Sequence, residues 1–194
     1  MTQAVYIIGG AGTGKSTFTK ALIQRMGLEL GPLEDLHSKR NAKALVTLRG
    51  HRFDRGLYLG VMREEFPGSD GLDRATSPTG EEWLHRFAED PSFPEMILAE
   101  GATLATRRFL YALNLSTDLL VIALECDPVI HDLRLLARGA GQMSSFVLST
   151  VTKTENLVRD MEKQLATVYR VQSDEPEDWE SGLLRAEAHL RQVA

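Results

Sequence analysis

The chain has 194 residues, 43% of them hydrophobic, and a formal net charge of −5. That length suits one α/β domain, or a core with a small lid, and suffices to bury a full core. No apolar run approaches the ~20 residues of a membrane helix, and the start shows no charged-then-apolar signal segment. The one cysteine, Cys126, excludes an internal disulfide and a cysteine-only metal cage. These features point to a cytoplasmic protein, with Cys126 a small buried residue.

The first element is an apolar strand over residues 4–8. Gly9 to Ser16 follow as G-G-A-G-T-G-K-S, which fits G-x-x-x-x-G-K-[ST], the phosphate-binding P-loop. A helix over 15–26 comes next, so the motif has the strand–loop–helix context it requires. Gly9, Gly10, Gly12 and Gly14 free the backbone and clear side chains from a phosphate's path. The N–H groups of Ala11, Thr13 and their neighbours then form an anion nest. The helix start behind them, including Thr17, adds its positive dipole end. Lys15 places a charge near the β- and γ-phosphates, and the Ser16 hydroxyl ligates Mg²⁺. The motif therefore implies a nucleoside triphosphate with Mg²⁺; ATP is the nucleotide expected of a kinase, with adenine against guanine left open. A glycine-rich turn with a chance lysine would lack both the complete motif and its flanks.

Gly27 and Gly31-Pro32 end this helix and begin a less regular stretch. Residues 44–48 and 57–59 read as strands. From His37 to Arg63 there are seven basic residues (Lys39, Arg40, Lys43, Arg49, Arg52, Arg55 and Arg63) against one acid, Asp54. From Gln172 onward there are six acids and two arginines. This asymmetry permits a basic substrate-facing patch on an acidic body, or simply a solvated basic face. Residues 66–71 form a loop by their Pro and Gly content. Ser77 as N-cap and Pro78 at the first helical position open a helix whose apolar side carries Trp83, Leu84 and Phe87.

Residues 96–99 are a third buried strand, ending in Glu100-Gly101. A helix follows through Arg107 to Leu110. The clearest later strand is 119–124, closed by Asp127-Pro128. Residues 129–138 read as helix, broken by Gly139-Ala140-Gly141. An amphipathic helix over 154–168 carries Leu157, Met161, Leu165 and Val168. Residues 169–171 form a short strand and 176–193 a final helix. Strands alternating with helices imply a parallel, right-handed α/β sheet. Ligands of such sheets bind at the carboxyl ends of the strands.

That rule selects the chemistry-bearing residues. Glu100 follows a buried strand, where a carboxylate can orient Mg²⁺ or its water; the alternative is a helix-capping or salt-bridging glutamate. Arg134 and Arg138, four apart on one helix, share a face. With the following glycines and Gln142 they form a lid, about 134–153, that closes arginines over the phosphates and excludes water. The alternative makes both arginines surface solubilisers. Lys153, read at the start of the long helix, opposes its dipole and hints at an anionic partner. On the acceptor side, Asp70 in its glycine-flanked loop is the preferred base for a substrate hydroxyl. Asp35, Asp54 and Asp73 remain rivals. Arg63 is placed to hold an acceptor phosphate, and Tyr58, Phe53 and Phe66 offer stacking faces or core.

With an N-terminal P-loop, a central acceptor region, an arginine helix with lid and a short final strand, the chain resembles P-loop kinases of nucleosides and nucleotides. That resemblance implies a single kinase domain over 1–194 with the α/β, three-layer P-loop NTPase fold: a central mostly parallel sheet and a small helical lid. Three further stretches look like a narrower group. They are L-G-V-M-R-E-E-F-P-G-S-D (59–70), L-A-E-G (98–101), and R-G-A-G-Q-M-S-S-F (138–146) with T-K-T-E-N-L (152–157). Together they are similar to phage-encoded kinases acting on 5-hydroxymethyluracil in DNA, although Ser69 stands where threonine is expected. The resemblance implies phosphorylation of the hydroxymethyl group as a step of thymine hypermodification in a host cytoplasm. It gives the basic 37–63 segment DNA phosphates to bind, against which the net acidic charge argues. Two other functions remain open. One is a small-molecule nucleoside or nucleoside monophosphate kinase. The other is a regulatory P-loop ATPase or switch, although no guanine-reading N-K-x-D is present.

Overall fold

The computed structural model describes residues 1–42, 44–62, 68–137, 144–164 and 166–192, without the side chains of 144–148 and Pro176. Lys43, Arg63, Phe66, Arg138, the 139–141 glycine break, Gln142 and Leu165 lie outside the described residues. In chain order the strands are β1 (Gln3–Gly9), β2 (Leu33–Arg40), β3 (Leu45–Phe53), β4 (Gly56–Leu59), β5 (Met96–Glu100), β6 (Asp118–Glu125) and β7 (Thr167–Gln172). The helices are α1 (Lys15–Met26), α2 (Ser77–Phe87), α3 (Arg107–Ser116), α4 (Pro128–Ala137), α5 (Ser144–Lys163) and α6 (Glu180–Leu190).

The seven strands form one sheet in the order β2-β3-β4-β5-β1-β6-β7. Five are mutually parallel (β4, β5, β1, β6 and β7), and β1 lies between β5 and β6. Successive side chains of a strand point to opposite faces, and β1 sorts its residues accordingly. Ala4, Tyr6 and Ile8 join Trp83 and Leu84 of α2, Phe109 and Leu113 of α3, and Leu157 and Met161 of α5. Val5 and Ile7 join Phe18 and Leu22 of α1 and Leu183, Ala186 and Leu190 of α6 on the other face. This is the three-layer, mostly parallel α/β arrangement expected, and no described helix is long and apolar enough to cross a membrane.

Three departures have physical causes. The stretch after Pro32 is an ordered strand, β2, antiparallel to β3, which is itself antiparallel to β4. Its sequence hid it: β2 is an edge strand with mostly polar residues, and its register shifts between Asp35 and His37, which breaks the two-residue alternation. The long helix begins at Ser144 and ends at Lys163, so Val168 belongs to β7, paired with Val121. The apolar residue four beyond 164 suits either period, and pairing with β6 decides between them. Finally, Thr76 rather than Ser77 precedes α2, and the Ser77 hydroxyl meets Thr106 Oγ1 at 2.6 Å.

The basic segment is largely neutralised. Lys39 pairs with Glu82 (2.5 Å), Arg49 with Asp35 (2.8 Å), Arg52 with Glu34 (3.1 Å) and Arg55 with Glu95 (2.7 Å). Two of these acids lie on the same hairpin just before residue 37, and two come from α2 and the β5 approach. Tyr58 and Phe53 are buried core residues, with no face open for stacking.

Candidate active site

The loop between β1 and α1 turns where Gly12 and Gly14 take φ +87°, a region that favours glycine. A Cβ on Gly9 would lie 2.3 Å from Thr13 Oγ1, so the cradle admits no larger residue there. Lys15 Nζ donates to the carbonyls of Gly9 (3.0 Å) and Gly10 (2.9 Å), which holds its charge across the loop.

The loop is braced by residues far away in sequence. His131 of α4 is buried and its Nε2 meets the Ala11 carbonyl. A Cβ on Gly12 would meet His131 and Leu135, one helical turn apart, at 3.2 Å each. Ser173 Oγ shares its single proton between two acceptors, the Thr13 carbonyl at 2.9 Å and the Glu125 carbonyl at 2.8 Å. The Trp179 ring covers Gly14 and packs edge-on against Phe18. Sequence reading missed these supports, because nothing local marks a residue that packs on a loop over a hundred positions earlier.

Glu100 ends β5 beside Ile7 of β1, at the edge where the P-loop begins. It is 1% exposed. Burial raises its carboxyl to about 7, against the Ser16 hydrogen bond and the charge of Lys15, which favour ionisation. Its Oε2 is buried without a hydrogen-bond partner among the described residues. An orphaned carboxylate oxygen beside the P-loop hydroxyl is the donor pair that a hard cation or its water requires. Among the described residues no group of three or more His, Cys, Asp or Glu could cage a metal alone. The Ser16–Glu100 oxygen pair fits Mg²⁺, which keeps waters and takes phosphate oxygens as further ligands.

Asp70 is brought to the same edge. It lies in a short 3-10 turn, Ser69–Gly71, and its Oδ1 accepts the N–H groups of Ala102 (2.6 Å) and Thr103 (3.2 Å) just beyond Glu100. Ser69 Oγ accepts from Leu104 N at 3.3 Å. The approach is possible because two glycines face it. Gly68 (φ +72°) would set a Cβ 2.6 Å from Glu100 Cγ, and Gly101 (φ +103°) would set one 2.7 Å from Ser69 Oγ. The Tyr6 hydroxyl donates to the Gly101 carbonyl at 2.9 Å, and burial holds its phenol well above its ordinary range.

Just before the Asp70 turn, Val61 and Gly68 form an antiparallel bridge, exchanging two backbone hydrogen bonds, each 2.9 Å. Met62 N donates to His51 Nε2 at 3.1 Å, so Nδ1 carries the ring proton and donates to the Gly31 carbonyl at 2.8 Å.

Ser16, Lys15, Glu100 and Asp70 thus converge, while two expected cations do not. Arg134 donates to the Asp174 carbonyl and to Cys126 Sγ (3.5 Å), which commits it to the ends of β6 and β7. Burial pushes that thiol up to about 11, and Cys126 is half-buried. Lys153 lies in the interior of α5, exposed, so the dipole argument for it fails. Val151 is the α5 residue beside Gly10, 3.0 Å from a Cβ built there. Two positions further is about 200° around a helix, which turns Lys153 away from the loop.

No curated protein matches the chain. Among solved structures it is similar to an unliganded sugar kinase from Janibacter sp. HTCC2649: 16% identity, TM-score 0.51, covering 100% of this chain and 99% of that one. It is also similar to a gluconokinase from Sinorhizobium meliloti 1021 (19% identity, TM-score 0.49, 99% and 93% covered) and a shikimate kinase from Bacteroides thetaiotaomicron (15% identity, TM-score 0.44, 97% and 98% covered). At such identities the first likeness speaks to the fold. Residues 1–188 match the family described as P-loop Nucleotide Kinase3, so the chain belongs to that family and is a P-loop kinase, a phosphotransferase.

Proposed function

We propose that the chain transfers the γ-phosphate of ATP to a hydroxyl on a nucleobase or nucleotide, and that its preferred acceptor is 5-hydroxymethyluracil in DNA. The observation that carries this reading is the fastening of Asp70 to the backbone just beyond Glu100, beside the P-loop. Asp70 Oδ1 is held by two N–H groups, and Oδ2 takes no hydrogen bond among the described residues. That oxygen is suited to receive the proton of an attacking hydroxyl as the bond from γ-phosphorus to the β-bridging oxygen breaks and the new P–O bond forms. Lys15 neutralises charge on the phosphates. Bound Mg²⁺ supplies further neutralisation and orientation, and Ser16 and Glu100 would hold it directly or through water. Arg138, Arg63 and the 134–153 lid of a single 1–194 domain complete the proposal, as does a host cytoplasm as its setting. Arg134 reaches the phosphates only by leaving Asp174, and Lys153 only by a turn of α5.

The salt-bridged basic hairpin favours a second reading, a nucleoside or nucleoside monophosphate kinase, because the acids beside those cations lower the net charge that a DNA strand would meet there. One assay separates the two. The protein is incubated with γ-labelled ATP and, in parallel, hydroxymethyluracil DNA, unmodified DNA and a nucleoside and nucleotide panel. Label confined to modified DNA supports the first reading, and label in free nucleotides moves the assignment to the second. Release of inorganic phosphate alone makes the chain a regulatory ATPase.

A further inference from the structure

A cleft of about 480 Å³ opens between the β2–β3 hairpin, the start of α2 and the start of α3. It lies on the active-site edge. β2 runs antiparallel to β3 and β3 antiparallel to β4, so the carboxyl end of β2, with Lys39, lies at the same edge as Glu100. Three residues beyond Thr103, whose N–H reaches Asp70, the chain passes Thr106 and enters α3. Arg74, four residues past Asp70, also lines it.

The charge of this wall is unusual for a chain of net charge −5. Lys39, Arg74, Arg107 and Arg108 line it, with Glu81 the acid among the lining residues. The first turns of α2 and α3 contain no acid, and α3 places two arginines at its positive dipole end, which costs stability unless an anion is near. The Ser77–Thr106 hydroxyl contact at 2.6 Å joins the two helix starts into one surface. Arg107 pairs with Asp160 and Arg108 with Glu81, yet their side chains are 69% and 78% exposed. Such pairs are weak and yield readily to a phosphate. Arg74 forms no ion pair among the described residues.

We propose that this cleft seats backbone phosphates of the DNA strand that carries the acceptor base, with Arg74, Arg107 and Arg108 as the contacting cations. The assignment rests on the DNA-acceptor reading above. An extended polyanion suits cations spread over three elements and open at the rim, and the mobile counterions it releases supply the affinity.

The test compares wild type, Arg74→Glu with Arg108→Glu, the milder Arg74→Gln with Arg108→Gln, and Arg185→Glu on α6 as a charge control outside the cleft. Fluorescence anisotropy with a labelled duplex containing 5-hydroxymethyluracil is read across roughly 50 to 200 mM salt. Melting temperature and binding of a fluorescent ATP analogue report folding. The cleft variants are expected to lose DNA affinity about tenfold or more and to flatten the log–log salt slope by about one per cation removed. Unchanged affinity and slope, or an equal loss in Arg185→Glu, overturns the cleft. So does an equal rise in KM for free 5-hydroxymethyldeoxyuridine monophosphate, which has no backbone. If the cleft variants lose DNA binding but wild type labels no DNA, the cleft stands as a DNA-backbone site, and the acceptor reading falls together with the assignment of the bound strand as substrate. If labelling of modified DNA keeps its KM in the cleft variants, the acceptor reading stands and the cleft falls.

Discussion

The Ala102 N–H donates to Asp70 Oδ1 at 2.6 Å, across a sequence separation of 32 residues. That one bond sets the acceptor-side carboxylate against the strand end that carries Glu100. The bond fastens the Asp70 turn, and under the proposed function the same side chain also offers an oxygen to a hydroxyl; different substitutions separate the two.

Asp70→Asn keeps an acceptor oxygen for the Ala102 and Thr103 N–H groups but loses the basic carboxylate. Turnover is expected to fall by about 10² to 10⁴ with ATP affinity and melting temperature close to wild type. Asp70→Ala also removes the acceptor of two N–H groups, one exposed and one part-buried, at a cost of about 0.5–1.5 kcal/mol for each bond. Steady-state kinetics and urea denaturation of both variants check this; a normal rate in Asp70→Asn removes Asp70 from the chemistry.

Glu100 makes stability depend on pH in a definite direction. Its carboxyl is raised to about 7 in the folded chain from an unfolded value of 4.5, so the folded state holds the extra proton between those values. Stability contributed by this group is present below about pH 4.5 and declines as pH rises to about 7. Glu100→Gln carries no such titration. Relative to wild type it should therefore gain stability from pH 5 to pH 8, by at most about 3 kcal/mol, while losing the Mg²⁺ dependence of ATP binding. Denaturation curves at both pH values, with ATP titrations with and without Mg²⁺, measure the two effects.

Gly101→Ala would place a Cβ 2.7 Å from Ser69 Oγ and 3.0 Å from Asp70 Oδ1, at φ +103°. The strain, of order 1–3 kcal/mol, falls on the contact that seats Asp70. Expected results are a lower melting temperature and a kcat reduced more than the KM for ATP is raised. Equal kinetics would mean that the Asp70 turn tolerates displacement.

Lys15→Ala removes the charge that spans the Gly9 and Gly10 carbonyls and should abolish transfer from γ-labelled ATP with little change in melting temperature, since Lys15 contributes nothing to either hydrophobic core. His131→Ala, by contrast, unbraces the P-loop at Ala11 and Gly12. It should raise the KM for ATP several-fold while kcat at saturating ATP changes little.

Whatever depends on neighbours along the chain is legible in the residue order. The P-loop is contiguous, so its glycines, Lys15 and Ser16 declare their chemistry without the rest of the fold. The buried strands β1, β5 and β6 are legible because parallel strands covered on both faces must be apolar throughout, and Glu100 is legible as the polar residue that ends one of them. Whatever depends on pairing across distance emerges only in the folded chain. Folding made β2 a strand by hydrogen-bonding a polar edge to β3, and matched Lys39 and Arg55 with Glu82 and Glu95. It drew Arg134 to the Asp174 carbonyl and set His131, Ser173 and Trp179 around the P-loop. Propensity and periodicity carry no record of such partners, because each is chosen by burial and charge compensation after the chain has collapsed onto its sheet.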